Sequence, residues 1–177
     1  MSPPEPGVVV ELADADATRA LGVALAGVLR AGDLLVLTGD LGAGKTTLTQ
    51  GLGEGLGVRG PVTSPTFVIS RVHPSLVGGP ALVHVDAYRL GGAVELDDLD
   101  LDADLDASVV VVEWGQGVAE VLSADRLELV LRVVGPGEER EAVLSATGIR
   151  WAGASVHDQL DAVAARVAGS GATAADD

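Results

Sequence analysis

The stretch Gly39-Asp40-Leu41-Gly42-Ala43-Gly44-Lys45-Thr46 fits the pattern G-x-x-x-x-G-K-[ST], and it constrains this chain more than any other feature. Such a loop is useful only where a buried strand turns into a helix. Its glycines let the backbone bend so that successive N–H groups point inward, at the positive end of the helix, where they hold phosphate oxygens. The flanks supply that junction: Asp33–Thr38 (DLLVLT) is a continuous apolar run, as a buried parallel strand requires. Lys45–Leu56 reads as a helix ending at Gly57. At this chain's own residue frequencies the pattern arises by chance in roughly two per thousand such chains. The candidate phosphate-binding residues are Asp40, Leu41, Gly42, Ala43, Gly44, Lys45, Thr46 and Thr47. Lys45 is expected to reach the β- and γ-phosphates, the Thr46 hydroxyl to bind Mg²⁺, and Thr47 to reach the α-phosphate, so the expected ligand is ATP with Mg²⁺.

Composition sharpens this. Of the 11 basic residues only Lys45 is a lysine, so the chain's one ammonium side chain stands in the motif. The 177 residues predict a single domain, 1–177, with a loose Pro-rich start over 1–7 and a disordered tail over 168–177. Hydrophobic residues make up 47% and charged residues 21%, enough for a full core. A net charge of -15 nearly excludes an autonomous nucleic-acid binder, which needs a basic face, and argues against docking on anionic lipid. With no cysteine, disulfides, thiolate metal sites and Cys nucleophiles are excluded. No apolar run approaches the ~18 residues of a membrane span, and Met1-Ser-Pro-Pro-Glu lacks a basic signal-peptide start. The expectation is a soluble, cytoplasmic chain.

Elsewhere, Val8–Leu12 reads as an edge strand, and Asp14 or Asp16 as the cap of a helix running to about Arg30 and stopped by Gly32. Val62–Val72 and Ala81–Tyr88 read as strands joined through Pro74 and Gly78-Gly79-Pro80. After the acidic stretch Glu95–Asp106, Val109–Val112 is a second apolar run. A short helix near Val118–Leu122 precedes an antiparallel hairpin, Arg126–Val133 turning at Gly135-Pro136-Gly137 into Glu139–Ala146. Ser155–Ala168 closes as an amphipathic helix carrying Val156, Leu160, Val163 and Val167. These elements describe an α/β fold of the P-loop NTPase type: a mixed, mainly parallel sheet flanked by helices, with an antiparallel hairpin near the C-terminal end.

A phosphate loop does not name a reaction; that takes an acid for the metal and a group that orients the nucleophile. Glu113 ends the apolar run Val109–Val112, where P-loop proteins place the acid that holds Mg²⁺, although Asp is the usual residue; an ordinary strand-end acid remains the alternative. Asp86, ending Leu82–Val85, is the candidate catalytic residue beside Lys45, able to orient a water near the γ-phosphate or simply to cap a turn. Thr63-Ser64-Pro65-Thr66-Phe67 is either a phosphate-sensing loop or a polar turn. Asp98–Asp104 has alternating acids but lacks the Gly and Glu of a calcium loop, and reads as a solvated segment. His73, His84 and His157 are dispersed and read as structural or surface residues, and Trp151 as a packing residue.

Four blocks in order resemble the TsaE (YjeE) family: Gly39–Thr47 (GDLGAGKTT), Ser64–Phe67 (SPTF), His84–Leu90 (HVDAYRL) and Glu113-Trp114 (EW). The likeness covers roughly Leu12 to Thr147. It implies the ATPase of bacterial tRNA threonylcarbamoyladenosine biosynthesis, which works with TsaD and TsaB to place threonylcarbamoyl on the adenosine next to the anticodon. The TsaE-like subunit hydrolyses ATP, binds at the TsaD–TsaB interface and meets tRNA only through the complex. By the same resemblance Gly42–Thr47 bind the phosphates, Thr46 and Glu113 hold Mg²⁺, and Asp86 sits near the γ-phosphate. Trp114 would face nucleotide or partner, and Asp14–Thr18 with Arg140 would lie near the base. Asp-Ala-Tyr stands for the commoner Asp-Leu-Tyr, and Gln116 where an acid often follows the Glu-Trp pair.

Two other readings compete. A small-molecule P-loop kinase resembling shikimate kinase shares the chain size and the loop, but it needs a D-x-D pair and lid arginines, whereas the basic residues here are scattered and Asp86 has no acid two positions away. A nucleotide-gated assembly subunit with incidental hydrolysis is the other.

Overall fold

Leu34–Thr38 (LLVLT) and Ser108–Glu113 (SVVVVE) show no polar alternation, and strands of this kind need cover on both faces. The computed structural model, which describes residues 7–65, 69–89 and 105–171, places them side by side near the middle of a sheet. Numbered along the chain, the strands are β1 (Val8–Leu12), β2 (Leu34–Thr38), β3 (Ser70–His73), β4 (Ala81–Asp86), β5 (Ser108–Glu113), β6 (Arg126–Val133) and β7 (Arg140–Thr147). Their order is β1-β7-β6-β2-β5-β4-β3 among the described residues. β2 is parallel to both β5 and β6, and β4 is parallel to β5. The remaining pairs, β6 with β7, β7 with β1 and β3 with β4, are antiparallel. A parallel centre thus carries antiparallel flanks.

The helices α1 (Ala15–Ala26), α2 (Lys45–Leu56) and α3 (Ala154–Gly171) bury Leu21, Leu25, Leu48, Leu52, Leu160 and Val163 against one face of the sheet. On the other face Val36, Val83, Val85, Val110 and Val112 are covered by Ala87, Ala119, Leu122 and neighbouring turns. At the α1–α2 contact, a Cβ on Gly51 would overlap the Arg19 carbonyl and one on Gly22 the Leu48 carbonyl, so these glycines set how closely the two backbones approach.

Several boundaries differ from the sequence reading. Asp14 is the cap of α1, its Oδ1 accepting from the Ala17 amide at 2.8 Å. The helix ends at Ala26, not near Arg30, because the Gly27 amide turns back to the Ala24 carbonyl. Leu29 is still buried, which is why the apolar stripe outruns the helix. Gly32 (φ 93) instead shapes the turn into β2. Residues 62–65 are not strand; β3 begins at Ser70, and 66–68, with Thr66 and Phe67, lie outside the described residues. β7 is shifted one residue, starting at Arg140. The segment near Val118–Leu122 is one turn of 3₁₀ helix, Ala119–Val121. α3 runs to Gly171 and so takes in 168–171 of the stretch expected to be tail; 1–6, 172–177 and the acidic 90–104 lie outside the described residues. No helix among the described residues is long and apolar enough to cross a membrane.

At the start of β2 the buried Asp33 receives both Nε and Nη2 of Arg150 at 3.0 Å, and Arg150 also donates to the Val28 carbonyl at 3.2 Å. This forked pair ties the chain after β7 to the central strand.

Candidate functional site

The three central strands end together. β2 leads into the glycine-rich loop, and Asp86 at the end of β4 is the register partner of Glu113 at the end of β5. Open parallel sheets offer their binding crevice at this carboxyl edge. Gly42 (φ 81) and Gly44 (φ 107) adopt left-handed conformations that a side chain would resist, and Gly44 is the N-cap of α2. A Cβ on Gly39 would meet the Leu131 carbonyl at 2.8 Å.

Lys45 is only 6% exposed. Its Nζ donates to the carbonyls of Gly39 (2.6 Å) and Asp40 (3.0 Å) and lies 4.4 Å from the Trp114 ring centroid. Burial lowers its pKa below the usual lysine value, with the negative charges of Glu113, Asp86 and Asp40 pulling the other way. Trp114 has φ 59 while its amide still donates to the Leu37 carbonyl at 3.0 Å, an unusual backbone state for a bulky residue. Its ring also meets Tyr88, 5.3 Å between centroids.

These residues enclose a cavity of about 630 Å³ lined by Leu41, Gly42, Gly44, Lys45, Thr46, Thr47, Ser64, Asp86, Tyr88, Glu113 and Trp114. Of the predicted site residues, Asp40 and Ala43 do not line it. Asp40 is exposed and contributes its carbonyl to Lys45, and Ala43 packs beneath the loop. Thr18 and Arg140, which the resemblance would put near the base, both line a hollow of about 100 Å³ with Thr47 and Glu138, and Arg140 lies near the Gly42 carbonyl at 3.5 Å. Asp14 is occupied with its capping bond. Gln116 is exposed and does not line the cavity.

Within the site the sequence reading missed one contact. His84, read as a structural or surface residue, is fully buried, and its Nε2 donates to Glu113 Oε1 at 3.0 Å. The available signal was His-Val-Asp: residues two apart on a strand share a face, so His84 lies on the same face as Asp86.

Among the described residues no three His, Cys, Asp or Glu side chains cluster tightly enough to hold a metal by themselves. The oxygen donors present, the Thr46 hydroxyl with the Glu113 and Asp86 carboxylates, suit Mg²⁺, which binds through one or two protein oxygens and keeps waters and phosphate oxygens for the rest.

A buried parallel strand, a glycine loop capping a helix, and acids at the ends of neighbouring strands define an α/β protein of the P-loop NTPase-like class. The family model described as "Threonylcarbamoyl adenosine biosynthesis protein TsaE" matches residues 12–142. The chain is 64% identical over 142 residues to the tRNA threonylcarbamoyladenosine biosynthesis protein TsaE of Streptomyces coelicolor, covering 78% of this chain and 96% of the relative. Its likeness to the protein of the same name from Bacillus subtilis is 41% over 135 residues, 76% and 82% of the two chains. The crystal structure of Bacillus subtilis YdiB superposes with a TM-score of 0.71 at 30% identity, covering 93% of this chain and 98% of that one. The chain belongs to the TsaE family.

Proposed function

We propose that this chain is a magnesium-dependent ATPase that supports threonylcarbamoyladenosine formation in tRNA, acting in the cytoplasm with TsaD and TsaB. One observation carries the reading: in a member of the TsaE family, a single cavity unites Lys45 and Thr46 of the phosphate loop with the strand-end acids Asp86 and Glu113. Loop amides from Asp40 to Thr47 bind the triphosphate. Lys45 exchanges its bonds to the Gly39 and Asp40 carbonyls for β- and γ-phosphate oxygens, a trade that the buried ammonium favours because phosphate carries full charge. Thr46 and Glu113 hold Mg²⁺, which when bound neutralises charge on the triphosphate. Asp86 keeps Oδ1 on the Tyr88 amide at 3.0 Å and leaves Oδ2 to orient the attacking water. Water then displaces ADP from the γ-phosphorus, yielding ADP and phosphate. The net charge of -15 fits a subunit that leaves the tRNA to its partners.

The test is ATP hydrolysis by purified protein with and without Mg²⁺, joined to pull-downs with TsaD–TsaB with and without ATP and to reconstituted tRNA modification. Slow Mg²⁺-dependent hydrolysis, nucleotide-dependent association and modification that requires this chain are expected. Phosphorylation of a metabolite without TsaD would overturn the reading in favour of a kinase, and full modification with an Asp86→Ala variant that still binds ATP would reduce hydrolysis to an incidental activity.

A further inference from the structure

His84 sits inside the apolar strand β4, between Val83 and Val85, with no exposed surface. Its Nε2–H donates to Glu113 Oε1 at 3.0 Å, and its Nδ1 is buried with no partner among the described residues. An imidazole is an unfavourable occupant of such a place, since burial without full hydrogen bonding costs more than an aliphatic side chain of similar volume would. Its one described bond therefore points to what it does.

The strand geometry explains the contact. In the parallel β4–β5 pair His84 is opposite Val111 and Asp86 opposite Glu113, so His84, Asp86 and Glu113 share one face, with Glu113 one step ahead of His84. Glu113 is 3% exposed and lines the cavity. The acid usually found at such a strand end is Asp; Glu carries one more rotatable bond and so more ways to miss the ion. Holding Oε1 removes that freedom and leaves Oε2 for the cation or one of its waters.

We infer that His84 is a positioning residue: its Nε2–H fixes the rotamer of Glu113 so that the carboxylate meets the divalent cation of a bound nucleotide in one orientation. The inference rests on the proposed nucleotide site and adds to it the group that orients the metal's carboxylate, as polar partners orient metal ligands generally.

The test pairs two polar replacements that differ in reach. In His84→Gln the amide nitrogen lies about where Nε2 lies and can still donate to Glu113; in His84→Asn it lies about where Nδ1 lies and cannot. Mn²⁺ affinity of the protein–ADP complex is read by electron paramagnetic resonance, and ADP affinity in EDTA by calorimetry. The expected result is a loss of about 10- to 100-fold in Mn²⁺ affinity for His84→Asn, largely restored in His84→Gln, with metal-free ADP affinity equal in all three proteins. Thermal melts confirm that the proteins compared are folded, and Glu113→Gln gives the loss expected when the ligand itself is neutralised. Equal Mn²⁺ affinity in the Gln and Asn variants overturns the inference while leaving the nucleotide site intact. Failure of the unaltered protein to bind ADP and Mn²⁺ overturns the site itself, and the inference with it.

Discussion

The parallel centre of the sheet and its antiparallel flanks are built from different sequence patterns and do different things. β2, β4 and β5 are nearly continuous apolar runs buried on both faces, and two of them end in the acids Asp86 and Glu113 while the third opens into the glycine loop. β6, parallel to β2 but antiparallel to β7, and β7 itself alternate buried and half-exposed residues and contribute nothing to the lining of the 630 Å³ cavity. Parallel strands deliver all their carboxyl ends to one edge, so side chains far apart in sequence converge there; antiparallel strands scatter theirs. The lesson is a division of labour: the glycine loop and the strand-end acids gather at the carboxyl end of β2, β4 and β5, while the β6–β7 hairpin borders that end without lining the cavity and Arg150, after β7, grips β2 at the other.

The largest expected effect separates the two cleanly. Lys45→Ala should weaken ATP binding by about 1,000-fold, roughly 4 kcal/mol, measured by calorimetry, because the site loses its one charge-assisted phosphate donor from a side chain. The melting temperature should hardly move. Arg150→Ala should do the reverse. The forked pair with Asp33 grips β2 at the end opposite the loop, and its loss leaves a carboxylate that is 4% exposed with only the Arg30 amide (2.9 Å) as a described partner. About 3 kcal/mol of stability should go, lowering the melting temperature by roughly 6–12 °C. ATP affinity measured well below the transition should be unchanged; a tenfold loss would show that the two ends of β2 are not independent.

These two residues also show what can be read from a sequence. The placement of Lys45 is legible because it is local: a pattern of eight residues encodes strand end, loop and helix start together. Glu113 and Asp86 are legible because a polar residue closing an apolar run marks a strand end. Arg150 is not, since its partner lies 117 residues away and only the finished topology brings them together. His84 falls between: its strand and face were readable, but not the cross-strand step to Glu113, which depends on the β4–β5 register. α1 ended early for a related reason, its apolar stripe continuing through Leu29 after the backbone had left the helix at Gly27.

The helix layer should connect the two regions. Gly51→Ala drives a methyl into the Arg19 carbonyl, and backbone cannot swing aside as a side chain can. A destabilisation of about 2 kcal/mol is expected. Because α2 carries the phosphate loop at its start, ATP affinity should fall as well, the one substitution here to move both readouts. Asp14→Ala removes the cap of α1 and should cost about 1 kcal/mol in urea unfolding. If it weakened ATP binding as much as Gly51→Ala, position relative to α2 would not be what decides.

The smallest effect belongs to the far flank. His73 on β3 is 4% exposed; its Nδ1–H donates to the Arg59 carbonyl at 3.1 Å and its Nε2 is buried without a described partner. Burial lowers its pKa below 6.5, the Arg59 carbonyl opposes this in part, and the neighbouring His84 and Arg71 add to the lowering. The unfolded chain therefore takes up this proton first as pH falls. Where the unfolded state binds more protons, stability rises with pH, so His73 costs nothing above about pH 7 and progressively more below 6.5, until the folded-state pKa is passed and both states are protonated. At pH 6 the cost can be no more than ~0.8 kcal/mol for one group. Urea unfolding of the unaltered protein and of His73→Gln at pH 8 and pH 6 isolates it, since the carboxylates shared by both proteins cancel in the difference. The unaltered protein should lose more stability between the two pH values than the variant. Because β3 only borders the centre, ATP affinity corrected for folded protein should show no such difference; a matching pH dependence in binding would place this flank in contact with the site and break the division argued from the sheet.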